Sequence, residues 1–205
     1  MELRVMNTKL LSLAAVALLL TSCASSKMVN RTDQTTEVPA ADKAQVIFMR
    51  PSSFGGVVQA SLFDVSSTDP EFIGIVSTGT QVSYMLDPGE HVFMVVSEAA
   101  DFLPAKLVGG KTYYAIVTAR MGAWKARFSM APVRKSAPGD YQYESDKFQG
   151  WLEKMRFVEN TPESIAWFQA NKADIKGKQI RYWQVWQEKS EADVAARTLN
   201  ADDGA

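Results

Sequence analysis

Trp124-Lys125-Ala126-Arg127-Phe128-Ser129-Met130 decides the fold: Trp124, Ala126, Phe128 and Met130 alternate strictly with Lys125, Arg127 and Ser129. A period of two is that of a β-strand, whose successive side chains point to opposite faces, so the stretch has one face for a core and one for water. Runs of the same kind lie upstream. Val46 and Phe48 alternate with Ile47 and Met49, and further runs occupy Val57 to Val65, Phe72 to Val76, Gln81 to Leu86, His91 to Val96, Phe102 to Val108 and Thr112 to Ala119. About eight short strands are therefore expected between Ala44 and Val133.

The runs are separated by Arg50-Pro51-Ser52-Ser53-Phe54-Gly55-Gly56, Thr68-Asp69-Pro70, Asp87-Pro88-Gly89 and Gly109-Gly110, which is turn chemistry. Short strands joined by tight turns, with no helix between them, predict a mainly β domain over 44–135, an antiparallel β-sandwich. The strands from His91 and from Thr112 are apolar on both faces, which predicts central positions between layers. Alternation sends the rings of Tyr113 and Tyr114 to opposite faces, one to the core and the other toward the surface.

Three stretches carry a resemblance: Gln45-Val46-Ile47-Phe48-Met49-Arg50-Pro51-Ser52, Asp87-Pro88-Gly89-Glu90-His91, and Gly110-Lys111-Thr112-Tyr113-Tyr114. Over roughly residues 44 to 130 the chain resembles the bacterial domain of unknown function numbered 2846, found in secreted proteins and lipoproteins. The resemblance implies a β-rich extracytoplasmic module with no established activity.

The N-terminus gives an address. Arg4 and Lys9 precede the apolar run Leu10 to Leu20, the charged and hydrophobic regions of a secretory signal over residues 1–22. Met6 would serve as a start as well as Met1. A run of about eleven residues is too short to span a bilayer, which takes roughly 20. Leu20-Thr21-Ser22-Cys23 resembles the lipobox of bacterial lipoproteins, cut between Ser22 and Cys23. That resemblance implies a diacylglycerol thioether and an N-acyl chain on Cys23, and no other cofactor. Several acyl chains give stable anchoring where one chain is marginal. In such lipoproteins Ala24-Ser25 after the cysteine implies the outer membrane, facing the periplasm. The alternative is a plain secretory signal, with Cys23 a free thiol.

Cys23 is the only cysteine, so its acylation leaves no thiol for disulfides, catalysis or zinc. Without residues 1–22 the chain carries 20 basic and 22 acidic side chains, no footprint for nucleic acid. Residues 23–43 are polar and aperiodic, and read as a flexible tether spanning on the order of 25 Å. A strand pinned to the fold is the alternative.

Beyond the strands, 136–191 reads as an aromatic-rich helical extension. Thr161 as N-cap, Pro162 at the first helical position and Glu163 in the first turn start a helix ending near Asn171. A second helix runs from about Ala173 to Glu191, weakened at Gly177. Ile175, Tyr182 and Trp186 share one stripe, extended by Ile180 and Trp183. Residues 192–205 read as a disordered tail.

No catalytic motif appears. His91 is the sole histidine, and nucleophile elbows, zinc helices and phosphate loops are absent from the sequence. The first expectation is thus a non-enzymatic, lipid-anchored envelope module with no metal, binding an envelope protein through Trp183, Trp186, Tyr182 and Trp124. The second is a small-ligand binder with an apolar cavity using Trp124, Tyr113 or Tyr114. The third is an envelope hydrolase with a carboxylate pair, Asp64 and Asp69 or Glu98 and Asp101.

Overall fold

The alternating runs between Ala44 and Val133 form strands in a computed structural model that describes residues 27–56, 58–121 and 126–205. They are β2 (Ala44–Arg50), β3 (Ala60–Asp64), β4 (Glu71–Val76), β5 (Thr80–Leu86), β6 (Gly89–Val96), β7 (Ala100–Leu107), β8 (Thr112–Met121) and β9 (Ala126–Pro132). Two further strands come from outside that stretch, β1 (Met28–Asn30) and β10 (Arg156–Asn160). The helices are α1 (Asp146–Lys154), α2 (Pro162–Gln187) and α3 (Glu191–Ala196), followed by a turn of 3-10 helix, Ala201–Asp203.

The fold is mainly β and built on two sheets, neither closed into a barrel. One has six strands in the order β1-β10-β5-β2-β8-β9, the other four in the order β4-β3-β6-β7. The four-stranded sheet is antiparallel throughout. The six-stranded sheet is mixed, with β2 parallel to β8 and β10 parallel to β5. This corrects the all-antiparallel expectation. The chain between β2 and β8 leaves to build the second sheet before returning, and so long a connection permits parallel pairing where a hairpin would not. As expected, β6 and β8 are interior strands.

Strand alternation explains the layers. Val46 and Phe48 of β2 join Leu62, Phe93, Val95, Tyr113 and Phe128 in a core fed by both sheets. Ile47 and Met49 point the other way, into a cluster closed by Phe148 of α1 and by Phe157. On the outer side of the four-stranded sheet, Phe63, Met94 and Phe102 meet Phe168, Ile175 and Trp186 of α2. A helix therefore covers each outer face, and buried side chains of this size each contribute about 1.5–3 kcal/mol. Tyr113 and Tyr114 do diverge, but both are buried: one lies between the sheets, the other under α1. Burial pushes the Tyr114 hydroxyl up to about 12.

Four sequence expectations need correction. From Lys27 onward the expected tether is tied down: β1 pairs antiparallel with β10, and the Arg31 amide donates to the Phe157 carbonyl at 2.9 Å. Ala41 packs so closely on Gly109 that a Cβ there would lie 2.1 Å from the Ala41 carbonyl oxygen, and Gly110 takes φ +75° in the same turn. The expected break near Asn171 does not occur, and α2 is one helix of 26 residues. Asn171 caps nothing; its side chain donates to the Trp167 carbonyl one turn back. The start is as expected, with Thr161 and Ser164 forming a capping box. Between the strands and α2 the chain makes α1, capped by Ser145, and β10.

Finally, 192–205 is not a disordered tail. Leu199 is fully buried, and the backbones of Thr112 and Ala205 exchange hydrogen bonds of 3.0 and 2.9 Å. The Arg134 guanidinium donates to Asp203 at 2.6 Å and to the Ala196 carbonyl at 2.8 Å. A local reading of small and acidic residues misses this, because the partner of Asp203 lies 69 residues upstream.

Candidate functional site

The C-terminal end of α2 is laid on the four-stranded sheet by its aromatic stripe. Trp186 is 5% exposed, and the Phe102 ring meets Trp183 at 5.0 Å and Trp186 at 5.9 Å, both edge-on. The stripe expected to form an interaction surface thus faces inward at Trp186 and partly so at Tyr182 and Trp183. Ile180, expected on the same stripe, is 56% exposed. The reason is local: β7 presents Phe102 on the outer face of its sheet, and the helix buries its rings there.

Where this stripe reaches solvent it forms one wall of a cleft of about 300 Å³. Tyr182 and Val185 line the helical side, and β7 supplies the floor with Asp101 and Phe102. The β8–β9 hairpin supplies Arg120 and Arg127, which stand directly opposite each other in register. Lys189 and Arg197 complete the lining beyond the end of α2.

The side chains here are ordered by one another. Asp101, with its side chain 16% exposed, accepts from Arg120 at 3.1 Å and also from Arg197. The Arg197 guanidinium lies 4.7 Å from the Trp186 ring centre, and the Lys189 ammonium 5.2 Å from it. Such contacts favour the cation electrostatically. Four cations therefore line the cleft against one carboxylate. Chemically the arrangement offers a concentrated set of N–H donors beside an aromatic and aliphatic wall.

A second cleft, of about 670 Å³, lies between β6, β7 and α3. Its lining mixes signs, Glu90 and Glu191 with Lys106 and with Lys189, which also lines the smaller cleft. His91 stands at its edge with Asp64 and Ser66, a trio that invites comparison with a catalytic triad. The geometry is different. Both Asp64 Oδ2 and Ser66 Oγ face His91 Nδ1, at 3.2 and 3.3 Å, while Nε2 lies 3.0 Å from the Asp87 carbonyl oxygen. A triad needs the acid on one ring nitrogen and the nucleophile on the other. Here Ser66 donates to Asp64 Oδ1, and the carbonyl at Nε2 requires a proton on that nitrogen. The hydrogen bond to Asp64 holds the imidazole pKa above its ordinary value. This is a clamp between strands, with the two ring nitrogens engaged by Asp64 and by the Asp87 carbonyl.

The remaining expected residues are distributed as follows. Tyr113 donates to the Ala201 carbonyl and accepts from the Val108 amide, inside the fold. Three of the carboxylates considered for hydrolysis are engaged by cations: Asp64 by His91, Asp69 by Lys172 and Asp101 by two arginines. Among the described residues no three His, Cys, Asp or Glu side chains cluster in a way that could hold a metal ion. Ser22, Cys23 and Trp124 lie outside the described residues.

The cationic lining was not singled out in the sequence. Arg127 was visible as a wet-face residue, but its pairing with Arg120 depends on hairpin register, which periodicity does not give. Arg197 lay in the segment taken for a tail. No family model matches the chain, and no curated protein is significantly similar to it.

Proposed function

We propose that this chain is a lipid-anchored module of the bacterial envelope, held to the outer membrane through acylated Cys23 and facing the periplasm, that binds another envelope component rather than catalysing a reaction. The two sheets with their shared core fit a β-sandwich of the kind implied by the resemblance to domain of unknown function 2846. The cleft at the C-terminal end of α2 carries the binding half of the proposal. The lipobox-like Leu20-Thr21-Ser22-Cys23 carries the anchoring half.

The pinned N-terminal segment sharpens this reading. Only residues 24–27 separate Cys23 from β1, which at about 3.5 Å per residue allows a leash of roughly 15 Å. β1 adjoins the first turn of α2 through the ion pair of Lys27 with Glu163, at 2.8 Å. The cleft sits toward the other end of that helix, where Tyr182 and Val185 are about 30 Å from Glu163 at 1.5 Å per residue. A short leash at one end and a cleft at the other suit a module that presents its site away from the bilayer.

A protein partner is the first form of this reading, because Val185 in the wall of the cleft is 57% exposed. A small ligand is the second, favoured by the cleft's volume of about 300 Å³. A photo-crosslinking side chain at Tyr182 tests the assignment in intact envelopes, with one at Ile165 as control at the opposite end of α2. A discrete adduct from Tyr182 alone supports the proposal; identical patterns from both positions sink it. For the anchor, Cys23→Ser should abolish acylation and leave unprocessed precursor, and normal processing of that variant would refute the lipobox.

A further inference from the structure

We infer that the cleft at the C-terminal end of α2 binds an oxyanion group, a carboxylate or a phosphate, carried on a ring or apolar body. This rests on the binding half of the proposed function and on no part of the anchor.

The Arg120–Arg127 pair is the leading observation. The two are exact cross-strand partners, so both side chains leave the same face of the hairpin. Like charges in that position are destabilising. Arg120 has the Asp101 carboxylate but shares it with Arg197, and among the described residues no carboxylate pairs with Arg127 or Lys189. The helix end explains part of the cluster, since the last turn carries a partial negative charge that favours Lys189 and Arg197. It does not explain two arginines side by side on a hairpin from another element.

An arriving oxyanion resolves the imbalance. Guanidinium forks match the paired oxygens of carboxylate and phosphate, and charge-assisted bonds of this kind are the strong ones. Part of the site is already in place. Arg197 is fixed between Asp101 and the Trp186 ring, with its side chain 17% exposed, so little ordering remains for the ligand to induce.

Tyr182 and Val185 then provide a wall for the rest of the molecule. The volume of about 300 Å³ sets the scale. It is the lower end of the range for small-ligand sites, roughly 300–1,000 Å³, and fits one compact group. The larger cleft near His91 has a weaker bias, since Glu90 and Glu191 stand among its cations and Lys106 lies 3.9 Å from Glu90.

The test is calorimetric titration of the full chain in neutral-detergent micelles with phenyl phosphate, with phenol and inorganic phosphate alongside. Saturable phenyl phosphate binding is expected, at least tenfold tighter than either fragment and weakening as salt rises. In Arg120→Gln/Arg127→Gln the Kd should rise at least tenfold while the melting temperature stays level or increases, because a repulsive pair has been removed. Arg127→Gln alone, which disturbs no ion pair, should weaken binding in the same direction.

Short-chain phosphatidylglycerol below its micelle concentration separates a lipid headgroup from a soluble ligand. Tighter binding of the lipid assigns the headgroup, and tighter binding of phenyl phosphate assigns a soluble molecule. Binding of neither, an unchanged Kd in both variants, or phenol binding as tightly as phenyl phosphate would overturn the site. Such a failure would leave Cys23 processing and the Tyr182 adduct untouched, so the two proposals fail separately.

Discussion

Two arginines are buried among the described residues, and they are held in opposite ways. Arg134, with its side chain 5% exposed, meets the Asp203 carboxylate at 2.6 Å and takes the carbonyls of Ala195, Ala196 and Thr198 as well. Arg50 is fully buried with no carboxylate at all. Its guanidinium donates to the carbonyls of Gly55, Val58 and Val76 and lies 4.6 Å from the Phe128 ring centre, while its Nε makes no hydrogen bond to any described residue. One cation is neutralised by a distant segment; the other is solvated by backbone dipoles of the adjoining loop and strand. A buried charge can thus be a lock between remote parts of a chain or a local clip, and its surroundings decide which.

The largest expected effect comes from breaking the lock. Arg134→Met leaves Asp203, 2% exposed, without its cation, and breaking a buried pair typically costs about 3–5 kcal/mol. Chemical denaturation should record that loss, and the Ala205 amide, bonded to the Thr112 carbonyl, should exchange faster with solvent. Replacing both partners, as Arg134→Met/Asp203→Leu, removes the stranded charge and should recover most of the stability. If the single substitution were no worse than the double, Asp203 would not be Arg134's essential partner.

Arg50→Met should cost less, about 1–2 kcal/mol, because three hydrogen bonds are lost but the desolvation of an unneutralised guanidinium is lost with them. Two of the stranded carbonyls, on Gly55 and Val58, belong to a surface loop where water can replace the donor. The check is the same denaturation experiment. A loss equal to that of Arg134→Met would erase the distinction between lock and clip.

The same contrast separates what was legible in the sequence from what was not. The strands were legible because each writes its own period, as Val46 to Met49 does for a strand buried on both faces. The start of α2 was legible because Thr161, Pro162 and Glu163 act within one turn. Arg50 sat in the stretch read as strand and turn, and its partners lie nearby in the chain. β1 was legible only as the alternative to a tether, being three residues whose pairing with β10 is a contact across some 130 positions. The end of the chain was not legible, because Arg134 and not local propensity supplies the order. The cleft fell between these cases: Tyr182 and Trp186 were visible as a stripe, but their burial depended on Phe102, and the cations facing them depended on register.

The smallest effect belongs to the pair of Asp64 with His91, whose cation, unlike either arginine, can be switched near neutral pH. The hydrogen bond to Asp64 raises the His91 pKa against the opposing effect of burial. Burial acts to raise the Asp64 carboxyl, but donors from His91 and from the side chain and backbone of Ser66 outweigh it and leave the pKa low. The signs are opposite. Stabilisation from His91 is complete below the unfolded imidazole value, about 6.5, and is lost as pH rises through the higher folded value. Stabilisation from Asp64 is complete above the unfolded carboxylate value, about 3.9, and is lost as pH falls through the lower folded one. The pair therefore contributes most between about pH 4 and 6.5 and weakens toward alkaline pH. Stability should decline from pH 6 to 8 by less than the cost of Arg50→Met, and His91→Gln should flatten that decline. Nitrogen chemical shifts of the ring offer an independent reading, with a midpoint above 6.5 in the folded protein. A midpoint at or below the free imidazole value would show that Asp64 and the Asp87 carbonyl do not hold the proton, and the clamp would then join Arg50 as a contact that charge alone does not explain.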